Sequence, residues 1–179
     1  MDELDRRIDE QMRPSQEEIG RLSTIPGVNR LVAQAITAEV GTDVAPFPSE
    51  GHLNSGAGVC PGNRESAGKR QSGHTPHGNR WLRRSLVQAA WAASHTKDTY
   101  LSAPYRRLCR RRGRKRALVA VAHTILTIAY HVLKDETTYF ELGGNYFDRL
   151  GEEQLKRSMV KRLEKLGYAV VLHTKAEAA

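Results

Sequence analysis

Cysteine is nearly missing: Cys60 and Cys109 are the two in 179 residues. So sparse and distant a pair argues against a disulfide framework and for a reducing, cytoplasmic setting. Aromatic residues make up only 6%, yet a hydrophobic fraction of 39% is still that of a globular chain. A chain this long buries a core without disulfides or metals. No apolar run approaches the roughly 20 residues a spanning helix needs, and the opening MDELDRRIDEQ is charged where a secretory leader is apolar. Acid is also short: 20 Asp and Glu face 28 Lys and Arg, leaving a net charge of +8. Secreted, disulfide-stapled and membrane-spanning classes are therefore set aside. The excess of base points to a polyanionic partner.

What is present reads as mainly α. Residues 1–20 carry Leu4, Ile8, Met12 and Ile19 at helical spacing, ending near Gly20. One apolar stripe needs a partner, so this helix is either the end of a coiled coil or a cap on its own domain. Residues 23–41 place a Pro26-Gly27 turn before a helix bearing Leu31, Val32, Ala35, Ile36 and Val40, stopped at Gly41. That start is helix-hairpin-helix-like, a motif whose backbone N–H groups hold phosphate. Asn29 stands where the second turn glycine is usual, and a plain structural hairpin is the competing reading. A short helix is expected near Ser49–Asn54, with Ser49 as N-cap and Phe47 beneath it.

Residues 56–79 hold six glycines, two prolines and several bases, which predicts a Gly-rich basic loop. Asn79 is placed to cap a helix whose apolar face is Leu82, Leu86, Ala89, Ala90 and Ala93. Asp98 is expected to cap the next, which presents Leu101, Tyr105 and Leu108. Residues 117–134 are apolar almost all round and predict the central buried helix. Leu155, Met159, Leu163 and Leu166 mark one more amphipathic helix, and 168–173 is the longest strand-like run.

Several chemistries compete. Cys60, His74 and His77 offer three zinc-type ligands where a structural site wants four, as two close pairs. His123 and His131 read as core or boundary residues, and Cys109 as inert. Residues 106–116 pack eight bases into eleven positions, including Arg110, Arg111, Arg112, Arg114, Lys115 and Arg116. Like charges so close repel, and a polyphosphate relieves this while releasing counterions. Nucleic acid is favoured over membrane, because no bulky apolar face accompanies the bases. In the loop, Ser66 and Ser72 sit among Arg64, Lys69, Arg70, Arg80, Arg83 and Arg84. Guanidinium groups around a phosphodiester could stabilise attack by a hydroxyl that is otherwise a poor nucleophile.

The succession IPGV…A…E-x-G…F, G-x-x-P-x-x-x-x-S-x-G-K, G-N-x-x-L-R-x-x-L-x-x-A-A, GRKRALVAVAHTILTIAYHVL and Y-F-x-x-L resembles one family. It is similar to the C-terminal domain of the one-ten/one-sixteen/nine-oh-two group of insertion-sequence transposases, over roughly residues 22–170. The resemblance implies DNA recombinases that choose their sites with a noncoding guide RNA. It makes Ser66, in Ser66-Ala67-Gly68-Lys69, the catalytic nucleophile and Ser72 the runner-up. The family motif carries a glycine where this chain has Ala67. The resemblance also implies an N-terminal RuvC-like domain whose acids hold Mg2+. No acid of this chain matches those, so no cofactor is assigned to it. On this reading residues 1–21 end a connecting helix, 22–170 form the transposase domain and 171–179 a tail. The expected partners are DNA, guide RNA and a second copy or a missing half bound through the first helix. A stand-alone nucleic-acid-binding module without catalysis is the alternative, and a helical adaptor with an incidental basic surface is a third reading.

Overall fold

The computed structural model describes residues 2–62 and 64–172. The chain divides after Gly144 into a large helical unit and a small one. The large unit contains α1 (Asp2–Gln11), α2 (Gln16–Leu22), α3 (Arg30–Val40), α4 (Glu50–Gly56), α5 (Arg80–His95), α6 (Ser102–Arg112) and α7 (Arg114–Lys134). Between α4 and α5 lies a two-stranded antiparallel ribbon, β1 (Arg64–Ser66) and β2 (Lys69–Ser72). The protein is mainly α, as its periodicities predict.

Helix α7 is the axis. Its Ala117, Val121, Ala122, Ile125, Leu126, Ala129 and Leu133 are all buried. Against the expectation that no apolar run reaches spanning length, α7 is by length and composition long and apolar enough to cross a membrane, and half of that stretch is buried in the protein's own core. Asn79 caps α5 as expected, its Oδ1 accepting from the N–H groups of Trp81 and Leu82 at 3.0 and 3.1 Å. Leu82, Leu86, Ala89, Ala90 and Ala93 face inward, every one buried. The alanines let neighbouring backbone come close. A Cβ on Gly27 would lie 2.3 Å from the Ala89 carbonyl oxygen and 2.7 Å from the Ala93 nitrogen. The Pro26-Gly27 turn is thus wedged against α5, and its glycine serves that approach.

Three local expectations need amendment. Residues 1–20 are not one helix: a 3-10 turn, Arg13–Ser15, separates α1 from α2. Pro14 lacks the amide that a continuous helix would use and restricts the residue before it. Only the far end of the stripe reaches the core, since Ile19 is buried and Met12 packs against it, while Leu4 and Ile8 stay exposed. Helix α1 is instead held by Asp9, which accepts from Arg30 at 2.9 Å and Gln34 at 3.0 Å. Asp98 does not cap α6. It takes φ +55°, and its carbonyl accepts from the Gly144 amide at 2.9 Å. Thr99 and Ser102 serve that end instead, each hydroxyl accepting from the other's backbone N–H at 3.3 Å. The strand-like run is not a strand over its described residues 168–172, and His173 lies outside them.

The small unit has α8 (Tyr146–Leu150) and α9 (Glu152–Lys165). The expected α9 stripe exists, but Met159 and Leu163 on it are exposed. Residues 173–179, most of the anticipated tail, lie outside the described residues.

Candidate nucleic-acid and strand-transfer site

The loop after α4 is anchored at its root. Asn54 is fully buried, and its Nδ2 donates to the Glu50 carbonyl and to Thr127 Oγ1 of α7, both at 2.9 Å. From there the chain runs out through Gly58 and Gly62 and returns through His74 and Gly78, backbone against backbone. A Cβ on Gly78 would sit 2.4 Å from the Gly58 nitrogen and 2.6 Å from the Gly56 carbonyl oxygen. The Asn79 amide donates to that carbonyl at 2.9 Å, closing the clasp. Loop glycines therefore let the chain approach itself.

Beyond the clasp the ribbon pairs Arg64 with Ser72, Glu65 with Arg70 and Ser66 with Lys69, with an irregularity between Arg64 and Glu65. The turn is the two residues Ala67 and Gly68, at φ +50° and +73°. Positive φ at both central positions is the mirror-image turn whose twist suits a hairpin. Ser66 and Lys69 are thus direct cross-strand neighbours, both exposed. Such pairs hold their Cβ atoms about 4.5–5.5 Å apart. Ser72 lies three residues down β2, about 10 Å from Lys69 at strand rise. The ribbon separates the two candidate serines: one stands at the tip, the other at the base.

The basic residues fall into distinct places. Arg64, Lys69 and Arg70 are on the ribbon, and Arg80, Arg83 and Arg84 follow on the first turns of α5. Arg83 is already engaged, its Nη2 donating to Thr75 Oγ1 at 2.6 Å, so it ties the returning loop to α5. Arg80 lies over the Trp81 ring, 4.6 Å from its centre. Arg110, Arg111, Arg112, Arg114, Lys115 and Arg116 are on a different pair of elements, α6 and α7, which meet at the single residue Gly113. All six are exposed, and among the described residues none forms an ion pair. Arginines in the last turn of α6 suit its negative dipole end. The three cations opening α7 face a positive end, an arrangement that disfavours itself by roughly 0.3–1 kcal/mol per charge unless an anion intervenes.

Cys60 does not join a ligand set. Its thiol lies 4.0 Å from the Gly51 carbonyl, and burial pushes its pKa up. Among the described residues no three His, Cys, Asp or Glu side chains converge where they could hold a metal ion. They do not fit Mg2+ either. His123 is half-buried and burial lowers its pKa, with Glu50 opposing; His131 is at the surface, 3.7 Å from Asp135. Sequence reasoning overlooked Asn54, Thr127 and Thr75, which fix the loop to its scaffold. Polar residues at single positions leave no periodic trace, so nothing in the pattern singled them out.

A mainly helical, basic unit that raises a serine on a clasped hairpin is the class defined so far. Residues 20–106 match the family described as Transposase IS116/IS110/IS902. The chain is similar to the insertion element IS110 uncharacterized 43.6 kDa protein of Streptomyces coelicolor, 29% identical over 119 residues, covering 66% of this chain and 29% of that protein. It is also similar to the transposase for insertion sequence element IS1111A of Coxiella burnetii, 33% identical over 131 residues, covering 69% of this chain and 35% of that protein. Together these matches support the IS116/IS110/IS902 transposase family for this chain. The chain spans about a third of the length of the curated relatives it matches.

Proposed function

We propose that this chain acts in DNA transposition as the serine-bearing part of an insertion-sequence transposase. In this reading it binds DNA and a guide RNA and supplies the nucleophile for strand cleavage and exchange. The observation that carries the reading is Ser66 at the tip of the clasped ribbon, exposed and paired across the turn with Lys69. A tip of this kind can enter a strand's backbone where a buried serine could not. The Ser66 Oγ–phosphorus bond forms as a phosphorus–sugar oxygen bond breaks. The hydroxyl proton leaves to a base, and the departing sugar oxygen takes one up. Lys69, as a cation, offsets the charge that gathers on the phosphate oxygens. Reversal by a second strand's hydroxyl completes the exchange and frees Ser66.

The α6–α7 corner supports the nucleic-acid part: six cations around a helix start gain from a polyphosphate what they lose by mutual repulsion. The turn before α3 is a further phosphate contact of helix-hairpin-helix type in this proposal, offered by Asn29 and the first amides of α3 rather than by Gly27. In this proposal the chain alone binds without cutting, because the family resemblance assigns the Mg2+-holding acids to an N-terminal RuvC-like half. Activity calls for the acidic half that the family resemblance implies, and the setting is the cytoplasm.

A mobility-shift titration with duplex DNA tests the binding claim. Affinity falls steeply with salt, about one counterion per neutralised phosphate. Replacing Arg114, Lys115 and Arg116 by glutamine weakens binding and flattens the salt slope. Binding that is insensitive to salt, or unchanged in that variant, overturns it.

A further inference from the structure

Helix α5 has an outer face that neither the core nor the loop uses. At spacings of three and four residues it carries Trp81, Arg84, Gln88, Trp91 and His95, one stripe along the helix. Trp81 is 56% exposed and Trp91 59%. So large an apolar surface on a basic helix calls for an explanation. Beside this stripe, α3 and α5 enclose two adjoining open troughs of about 500 and 320 Å³. The first is lined by Trp81, Arg84 and Glu39, the second by Leu31 and Asn29, and both share Ser85 and Gln88.

We propose that the outer stripe of α5, with the α3–α5 trough beside it, binds an unpaired stretch of nucleic acid, with bases stacked on Trp81, which lines the trough, and on Trp91, which stands on the stripe outside it. The chemistry favours that occupant. Between the indoles the stripe presents only Arg84 and Gln88, with His95 beyond Trp91, and of the trough lining only Leu31 is a large exposed aliphatic, so a second helix would find little to bury. The acid in that lining, Glu39, accepts from the Asn79 side-chain amide. Arg84 in the lining stands against Glu39, and because α5 also carries Arg80 and Arg83 and no acid, the surface around the trough is net cationic, as a phosphate backbone requires. Trp81 is held with one ring face under Arg80, and Trp91 packs against His95 at 4.4 Å between ring centres. Each indole is thus braced from one side, which lowers the cost of ordering it when a base stacks. Ten helical residues separate the two rings, about 15 Å of rise, a distance for a few nucleotides to cross. Gln88, lying between them, can donate to and accept from a base edge. Duplex DNA hides its base faces, so an aromatic platform selects unpaired segments.

The proposal rests on the nucleic-acid reading above, and one experiment separates their failures. Trp81 and Trp91 are the chain's two tryptophans, so intrinsic emission reports this groove. The full chain is titrated with a short oligothymidylate and, separately, with a blunt duplex of equal length. Anisotropy of the labelled DNA measures affinity in each case. The expected result is quenching of emission by the oligothymidylate in a salt-sensitive way. Trp81→Ala weakens that binding about five- to a hundredfold, the worth of one stacked base, and leaves duplex affinity unchanged. Gln88→Glu, a surface change that retains both indoles, also weakens it. Oligothymidylate that binds without altering emission, or equally well to Trp81→Ala, overturns the groove. So does binding of duplex alone. An emission shift that follows protein concentration, with a dimer in sedimentation, assigns the face to a second copy and overturns it too. Binding of neither DNA overturns the nucleic-acid reading as well.

Discussion

Replacing Gly78 with alanine puts a methyl group where two strands of backbone already touch. Its Cβ would stand 2.4 Å from the Gly58 nitrogen, 2.6 Å from the Gly56 oxygen and 2.7 Å from the Ala57 carbonyl carbon. None of these is a side chain that can swing aside, so the clasp must open by about 1 Å to restore ordinary contact. Overpacking of this kind costs about 1–3 kcal/mol. Losing the Asn79–Gly56 hydrogen bond adds about 1 kcal/mol. The stiffer unfolded chain returns some 0.4–1 kcal/mol, leaving a net loss of about 1–3.6 kcal/mol. For a unit of this size that lowers Tm by roughly 2–14 °C. Gly56→Ala is the control: nothing lies within 4 Å of its Cβ, and it closes α4. It is expected to be neutral or to stabilise by up to about 1 kcal/mol. Thermal unfolding followed by circular dichroism compares the two, and hydrogen exchange reads the Asn79 amide directly. A Gly78→Ala protein with unchanged Tm and an equally protected amide refutes the clasp.

Three further outcomes are expected. Ala67 holds φ +50°, a conformation that costs an L-residue about 1–2 kcal/mol, so Ala67→Gly raises the ribbon's protection in hydrogen exchange or leaves it equal, and a loss of protection contradicts the turn geometry. Burial holds His123 below its ordinary pKa of 6.5, so the unfolded chain takes up that proton first; stability is full above pH 6.5 and declines below it until the folded pKa is passed. His123→Gln flattens that decline in denaturant titrations, and an unchanged profile excludes His123 as its source. Asp9→Asn weakens the tie between α1 and Arg30, which exposed ion pairs value at under about 1 kcal/mol, so faster amide exchange confined to α1 is the expected readout.

The parts of the fold that were legible in the sequence are those that repeat. Helix α5 announces itself twice, by Asn79 at its start and by apolar residues at helical spacing, and both signals agree with where it packs. The long apolar run of α7 can lie only at the centre. The ribbon gave no such signal. Its strands read Arg-Glu-Ser and Lys-Arg-Gln-Ser, with neither β-branched residues nor alternation, and its turn lacks the Asn-Gly pair that marks a hairpin. It is imposed from outside, by the clasp below and positive φ at the tip. The break at Pro14 is marked by a single proline inside a stripe that otherwise keeps helical spacing. Asp98 illustrates the limit of cap signals, because a backbone bond from Gly144 drew it into another conformation. At the site, residue types identified the basic residues and the serines. Only the register showed that Ser66 and Lys69 are opposed while Ser72 is remote, and only a hydrogen bond across the returning loop showed that Arg83 is committed to Thr75.

The central claim is that Ser66 is the nucleophile, and a covalent protein–DNA adduct tests it most directly. The chain is combined with an acidic N-terminal half from a matching transposase and a cognate DNA. After proteolysis, mass spectrometry locates the residue that carries the phosphodiester. The adduct is expected on the peptide containing Ser66, absent in Ser66→Ala while DNA binding persists, and largely intact in Ser72→Ala. An adduct that survives Ser66→Ala and disappears with Ser72→Ala would place the chemistry at the base of the ribbon and contradict the account.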